Sequence, residues 1–566
     1  MRKHVALAAA AAGLFVTSAA PPQTYTVLIR GGTVYDGSGN APFVGDVGLR
    51  GDRIVYVGPH APGRAQRVIN ASGKAVSPGF INMLSWANEG LIADPRGMSD
   101  TYQGVTLEVM GEGDSMGPWT PEMKRLEIKR QGDIKFPIRW TTLGQYLEWL
   151  TRKGITPNVT SFVGATTVRV HELGEKDVQP TPAQLDRMRA LVRQAMKEGA
   201  VGVGSSLIYA PATYAKTPEL VALAHEAARC GGMYISHMRD EGPKLLEAID
   251  ELVTISKQSG APAEIYHYKQ AGKDNWGKID AAIERVNKAR ASGQRITADM
   301  YTYAASSTGF DAAFPTWMQD GGLEAWIKRL KDPSLRAKAI SEMEGPKGTE
   351  NAKLVVDDPE KVLLVGFKKA QLKPLTGKTL AQVAKMRGKS PAETAADLIV
   401  EDGSRIQVVY FSMNPHNVKR ETGLPWMSFG SDAGSQAPEG VFLKSSTHPR
   451  AYGNVARLLG YYVREQHSTT LEDAIRRLTS LPATNLSIRE RGSLKRGYYA
   501  DVVVFDPATI RDNGTFEKPQ QLASGVADVF INGVQVLKDG RHTNAKPGRF
   551  VRGPGWTGWP NGGACR

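Results

Sequence analysis

Apolar positions along this chain follow two rhythms, one at both ends and another in the long middle. Near the start, Thr26 to Ile29 alternates, Gly31-Gly32 turns into Val34-Tyr35, and Arg53-Ile54-Val55-Tyr56-Val57 follows Gly51-Asp52. Near the end, Ala500 to Asp506 and Val529 to Val534 repeat this style of short strand and Gly/Asn turn. In the middle the period lengthens. Thr181-Pro182-Ala183-Gln184 reads as a capping box with proline at the first helical position. The stripe Leu185, Met188, Leu191, Val192, Ala195, Met196 then has helical spacing, and Gly199 stops it before a strand at Ala200 to Val203. The unit recurs: helices opened by Thr217-Pro218-Glu219, or running Leu245 to Ile255 and Ile279 to Ala289, each end at glycine before strands Met233 to Ser236, Ala263 to Tyr266 and Ile296 to Met300.

With Ala75 to Ile81, Leu107 to Gly111, Val159 to Val163 and Trp426 to Gly430, the candidate strands number eight. Strands alternating with helices predict a parallel sheet. The expected fold class is therefore α/β: a (β/α)8 TIM-like barrel over 75–490, with a small β-sandwich built from both termini (24–74 and 491–551) and a C-terminal tail at 552–566. The gap between the seventh and eighth strands far exceeds an ordinary connection. Rich in Trp, Lys and helix formers, it predicts an inserted lid-like subdomain at about 306–365.

The opening residues change where the protein is expected to work. Arg2, Lys3 and His4 form a basic start, Val5 to Val16 an apolar stretch, and Thr17-Ser18-Ala19-Ala20 a small-residue cleavage zone before Pro21-Pro22. This reads as a signal peptide at 1–20, so the mature protein is expected to be periplasmic or secreted. No later apolar run approaches the ~18 residues of a membrane span. Cys230 and Cys565 are too few for a disulfide scaffold or a Cys-rich zinc site, and nothing in the sequence places them together. The net charge of +14 favours anionic small substrates or envelope polymers. Lys and Arg are scattered without a reading motif, so no nucleic-acid partner is expected. Oligomeric state, including a homo-oligomer, stays open.

In a βα barrel the working residues sit at the C-terminal ends of the strands. Those ends carry Glu112 after strand two, His237 after strand five, His267 after strand six and Asp432 after strand eight. One carboxylate and two imidazoles form a common catalytic zinc set, and a further carboxylate could take a proton from water. A single strand-end histidine is more often a hydrogen-bonded loop residue. By spacing alone both readings stay open.

Further segments carry a resemblance. Ser77-Pro78-Gly79-Phe80-Ile81-Asn82, Gly104-Val105-Thr106, His237-Met238-Arg239-Asp240-Glu241, His267-Tyr268-Lys269 with Ala271-Gly272, Gly430-Ser431-Asp432, His448-Pro449-Arg450, Thr479-Ser480-Leu481-Pro482-Ala483 and the run Gly492 to Pro507 resemble landmarks of the D-aminoacylase (N-acyl-D-amino-acid deacylase) branch of the amidohydrolase superfamily. The resemblance implies hydrolysis of N-acyl-(D-)amino acids by a metal-dependent barrel, and Asp432, which closes the eighth strand, is expected to act as catalytic acid and base. It implies Lys269 and Tyr301 as substrate-carboxylate contacts; Arg239 is an alternative anchor, Ser205-Ser206 after strand four line the pocket or serve packing, and Glu241 is the next carboxylate to test.

Two departures stand out. The family ordinarily follows Pro-Gly-Phe-Ile-Asp with a His-x-His metal pair, where this chain has Leu84 and Trp86. The family's cysteine after strand two falls on Gly113, which leaves Glu112 as the substitute ligand and Asp114 as the other choice. The expectation is one Zn2+ per chain, or another divalent metal, held by Glu112, His237 and His267. A dipeptidase or amidase for other peptide-like amides, and a degenerate barrel that only binds ligand, are the alternatives.

Overall fold

The structure, a computed structural model, describes residues 24–346 and 348–565; the signal peptide read at 1–20 lies outside the described residues. Eight parallel strands form the centre. In order they are Phe80–Asn82, Val105–Met110, Asn158–Ser161 (continued by Val163–Gly164), Gly202–Ser206, Met233–His237, Ala263–Ile265, Ile296–Met300 and Met427–Phe429. Each pairs in parallel with its neighbours. The last strand closes on the first where Met83 N donates to Phe429 O (3.1 Å) and Asp432 N to Leu84 O (2.9 Å). The result is a closed (β/α)8 barrel.

The helices around it start and stop where their caps dictate. Pro182–Glu198 begins with a formed Thr181/Gln184 capping box and ends at Gly199 (φ 114°). Its apolar face, with Met188, Val192 and Met196, is buried against the barrel core. Each fully buried side chain of this size contributes ~1.5–3 kcal/mol relative to exposure.

The run Ala75 to Ile81, expected as one barrel strand, is two. Ala75–Pro78 pairs with Val502–Phe505 from the other end of the chain, and Phe80–Asn82 opens the barrel. Gly79 makes the switch: its N–H bonds Asp501 O, and a Cβ there would sit 2.1 Å from Thr106 Oγ1. Through that pairing the terminal strands join into one nine-stranded sheet. Val27, Val47 and Val76 from one end share a core with Val502, Val504 and Phe530 from the other.

Between strands seven and eight stands a unit with its own core, from Phe310 to Tyr410. It runs past the limit near 365 that composition suggested. Its sheet joins Ser306–Gly309, Gln407–Tyr410 and Val362–Gly366, and only that long-range pairing reveals its extent. The C-terminal segment lies along the barrel, with Gly553 N on Gly199 O (2.8 Å) and a Cys230–Cys565 disulfide. No helix among the described residues is long and apolar enough to cross a membrane.

Candidate active site

Local backbone aims each side chain. Gly111 (φ 102°) and Gly113 (φ 72°) flank Glu112 and let the chain turn sharply at the end of strand two. A Cβ at Gly111 would lie 2.3 Å from Phe162 O. His237 ends strand five. His267 and Asp432 both have positive φ, 35° and 49°, which costs non-glycine residues of order 1–3 kcal/mol. Both are held there by main-chain bonds, His267 N to Asp299 Oδ1 (2.9 Å) and Asp432 N to Leu84 O (2.9 Å).

The side chains converge at the barrel mouth. Glu112 Oε1 meets His237 Nδ1 at 3.1 Å and His267 Nε2 at 3.0 Å. Glu241 lies behind the imidazoles, with Oε1 3.0 Å from His267 Nδ1 and 2.7 Å from Lys269 Nζ. Burial disfavours charge on Glu112 and on Glu241. The imidazoles, with Lys269 beside Glu241, overcome it and hold both carboxyls well below their ordinary range. For His267, burial and Lys269 push its pKa down, and Glu241 and Glu112 outweigh them, lifting it to about 10. The cluster thus draws positive charge to its centre.

The donor set fits a divalent cation. Ligand atoms of Glu112, His237 and His267 all lie within 4.8 Å of one another, and all three residues are buried. His237 Nε2 is buried without a hydrogen-bond partner. Two imidazoles and a carboxylate suit zinc or a similar ion. It is Glu112, and not Asp114, that reaches the imidazoles.

The opposite rim is built differently. Leu84 is buried in the barrel core. The Trp86 indole N–H lies 3.0 Å from Glu112 Oε2 and 3.2 Å from Asp432 Oδ1, so one neutral donor bridges the two carboxylates. Asp432 Oδ2 also pairs with Arg450 Nη2 (2.9 Å). Burial raises the Asp432 pKa above its ordinary value, with Arg450 opposing and Glu112 adding to the rise.

A cavity of about 590 Å3 surrounds these groups. On its wall Arg450, 2% exposed, stacks over Tyr301 with its guanidinium 4.4 Å from the ring centre. Arg450 Nε and Nη1 and the Tyr301 hydroxyl are buried without partners, which marks a place for an anion. His448 shapes this wall. Its Nδ1 accepts from Arg450 N and its Nε2 lies 3.0 Å from Ala305 O, so both ring nitrogens are used and burial keeps it neutral. Ser206 lines the cavity, whereas Ser205 is tied to Tyr234 and Ser236.

The structure brings together Glu112, His237, His267, Asp432, Lys269 and Tyr301. Arg239 is a correction. Its guanidinium is spent on Glu251 (2.8 and 2.9 Å) and on the carbonyls of Thr213 and Ala215, away from the cavity. The sequence reading gave no role to Arg450 or Trp86. Arg450 stood within a quoted motif, while nothing in a lone exposed-type tryptophan signals a bridge between carboxylates.

Known proteins resemble this chain over most of its length. A model of the amidohydrolase family matches residues 67–540. The N-acyl-D-aspartate deacylase of Alcaligenes xylosoxydans xylosoxydans is 31% identical over 94% of this chain and 96% of its own length. A D-aminoacylase structure, described as having a binuclear metal centre with one-metal activation and second-metal attenuation, is 30% identical; the match covers 93% of this chain and 100% of that one, with a TM-score of 0.76. The N-acyl-D-glutamate deacylase of Bordetella bronchiseptica, complexed with zinc and a phosphonate inhibitor, is 27% identical over 94% of this chain and 100% of that one, also with a TM-score of 0.76. With the barrel, the strand-end cluster and these matches in hand, the chain belongs to the amidohydrolase family.

Proposed function

We propose that this protein hydrolyses the amide bond of N-acyl-D-amino acids, releasing a carboxylate and the free amino acid, with one Zn2+ per chain held by Glu112, His237 and His267. The observation that carries this reading is one cavity holding a metal-type cluster, a separate carboxylate at Asp432, and unpartnered donors on Arg450 and Tyr301. The D configuration rests on relatives named N-acyl-D-aspartate deacylase, D-aminoacylase and N-acyl-D-glutamate deacylase.

The chemistry that an ion at this cluster supplies is polarisation of the acyl carbonyl and acidification of water. The protein's own groups do the rest. Asp432 accepts a proton from the attacking water at a carboxylate oxygen and later delivers it to the amide nitrogen as the C–N bond breaks. Trp86 and Arg450 hold that carboxylate in place. The free face of Arg450 and the Tyr301 hydroxyl bind the substrate carboxylate through charge-assisted hydrogen bonds. Lys269 stands beside them, with Nζ 5.7 Å from the Tyr301 ring centre, and fixes Glu241 behind the imidazoles. The inserted unit, which contributes Glu350 and Arg405 to the cavity wall, acts as its cover.

The site of action is proposed to be periplasmic or extracellular. The leader-like residues 1–20 support export, and a Cys230–Cys565 disulfide suits an oxidising compartment.

The test is amine release from panels of N-acetyl-D- and N-acetyl-L-amino acids, with metal content measured by mass spectrometry on protein purified without chelator. D-selective release with about one ion per chain is expected. Release from the L panel alone overturns the configuration. No release from metal-loaded enzyme points instead to a barrel that only binds ligand.

A further inference from the structure

A second chamber of about 560 Å3 adjoins the catalytic cavity, and Trp86, Glu89, Asp114, Thr166 and Arg405 line both. Its walls come mainly from the segments after the first three barrel strands, with Ala210 and Pro211 after the fourth, Gly434 to Gln436 after the eighth, and residues of the inserted unit that include Trp326. Trp86, Trp119 and Trp326 give it three indoles, with Met116 and Met123 beside them. An apolar acyl pocket would need no more than this.

The chamber also carries carboxylates that its cations do not balance. Arg130 is bound on two nitrogens by Glu175 (2.8 Å each), and Arg405 pairs with Asp311 (3.0 Å). Glu89, Asp114 and Glu127 also line it, and among the described residues no salt bridge forms to any of them. The cation acting on Glu89 is Lys135, whose ammonium is given to Gln131 O (2.7 Å). Burial, with repulsion from Glu127 added and Lys135 opposing, lifts the Glu89 carboxyl to about 7. Where the two chambers meet, Thr166 is 7% exposed and its hydroxyl is buried without a partner.

The outer chamber therefore holds more acids than free cations: Glu89 and Asp114 line both chambers, Glu127 lines the outer one, and Arg450, Lys269 and Tyr301 stand only in the catalytic one. Aromatic faces beside carboxylates form the usual recognition chemistry of an organic cation. We propose that the outer chamber is a subsite for a positively charged acyl group. On this reading, which rests on the deacylase function above, the substrates include amides whose acyl half bears an ammonium, as in a short peptide with a free amino end. The substrate carboxylate meets Arg450, and the ammonium meets Glu89, Glu127 and the indoles.

The test compares isosteres. Metal-loaded Asp432→Asn enzyme, which turns over slowly, is titrated by calorimetry with N-glycyl-, N-(4-aminobutanoyl)- and N-(6-aminohexanoyl)-D-leucine. Their neutral counterparts are N-propanoyl-, N-pentanoyl- and N-heptanoyl-D-leucine. At one chain length or more the cationic member should bind about tenfold more tightly than its isostere. Adding Glu89→Gln and Glu127→Gln should bring that ratio to about one, as expected when the attraction is lost. Cationic members that bind no better than isosteres at every length overturn the proposal and leave an apolar acyl pocket. Failure of the deacylase reading appears separately, as wild-type enzyme that releases amine from no N-acyl amino acid, and the binding comparison still decides the chamber.

Discussion

Two rims of the same barrel mouth handle charge in opposite ways. At strands five and six, His237 and His267 both lie within hydrogen-bonding distance of Glu112, His267 also reaches Glu241, and the donor set fits a cation. At strands eight and one, an uncharged indole N–H serves Glu112 and Asp432 together. A carboxylate pair can thus be held by two ions or by one ion and one neutral donor. Asp432 stands outside the metal-type cluster, and on the proposed mechanism the second arrangement leaves it free to move protons.

The largest effect should come from the histidine rim. His237→Ala and His267→Ala should each lose the bound ion and cost more than the ~10–100-fold typical of changes behind the ligands. Mass spectrometry and amine release check both, and full metal retention would break the contrast between the rims. Next comes Asp432→Asn. A residue serving both proton steps should lower kcat by ~10²–10⁴, with metal content unchanged. The same residue sets an acid limb in kcat/KM, because only the ionised carboxylate accepts a proton. Burial raises its pKa, so activity should fall as pH drops through a midpoint above the ordinary aspartate value of 3.8.

Arg450→Met should follow, with kcat/KM down ~10²-fold, chiefly through KM, since a buried charge partner is removed. Arg450 opposes the rise in the Asp432 pKa, so the acid limb should move to higher pH in this variant. A limb that moves down would argue against the pair. Trp86→Phe keeps the ring and removes only the shared N–H. Hydrogen bonds to charged groups contribute ~1.5–3 kcal/mol, so a loss of about tenfold in kcat/KM is expected with one ion retained. Two ions per wild-type chain would erase the asymmetry altogether. The smallest effect belongs to Asp114→Asn. Asp114 stands outside the ligand cluster, and N-acetyl-D-amino acid turnover should stay within about twofold, the scale of changes away from specific contacts. Glu112→Gln should instead lower metal affinity strongly, and the reverse pattern would transfer the ligand role.

Much of this site was legible because barrel chemistry sits at strand ends, and strand ends can be read from where apolar runs stop. Glu112, His237, His267 and Asp432 each follow such a run. Arg239 misled because it also follows a strand and carries the right charge. Whether a guanidinium is free depends on Glu251, twelve positions on and on another element. Arg450 had the right chemistry but no strand to point to it.

By itself, the sequence determined the alternation of strand and helix, the caps at Thr181 and Gly199, and the identity of the groups able to bind metal. These follow from local rules: side-chain period, φ preference and donor chemistry. Tertiary structure alone decided which of Glu112 and Asp114 reaches the imidazoles, that Gly79 divides one apolar run between two sheets, and that Cys230 and Cys565 meet. It also placed the Trp86 N–H between two carboxylates that stand 320 residues apart in the chain. Such pairings depend on closure of the barrel, when strand eight comes back against strand one. No window of sequence contains both partners, so no local rule can report the distance between them.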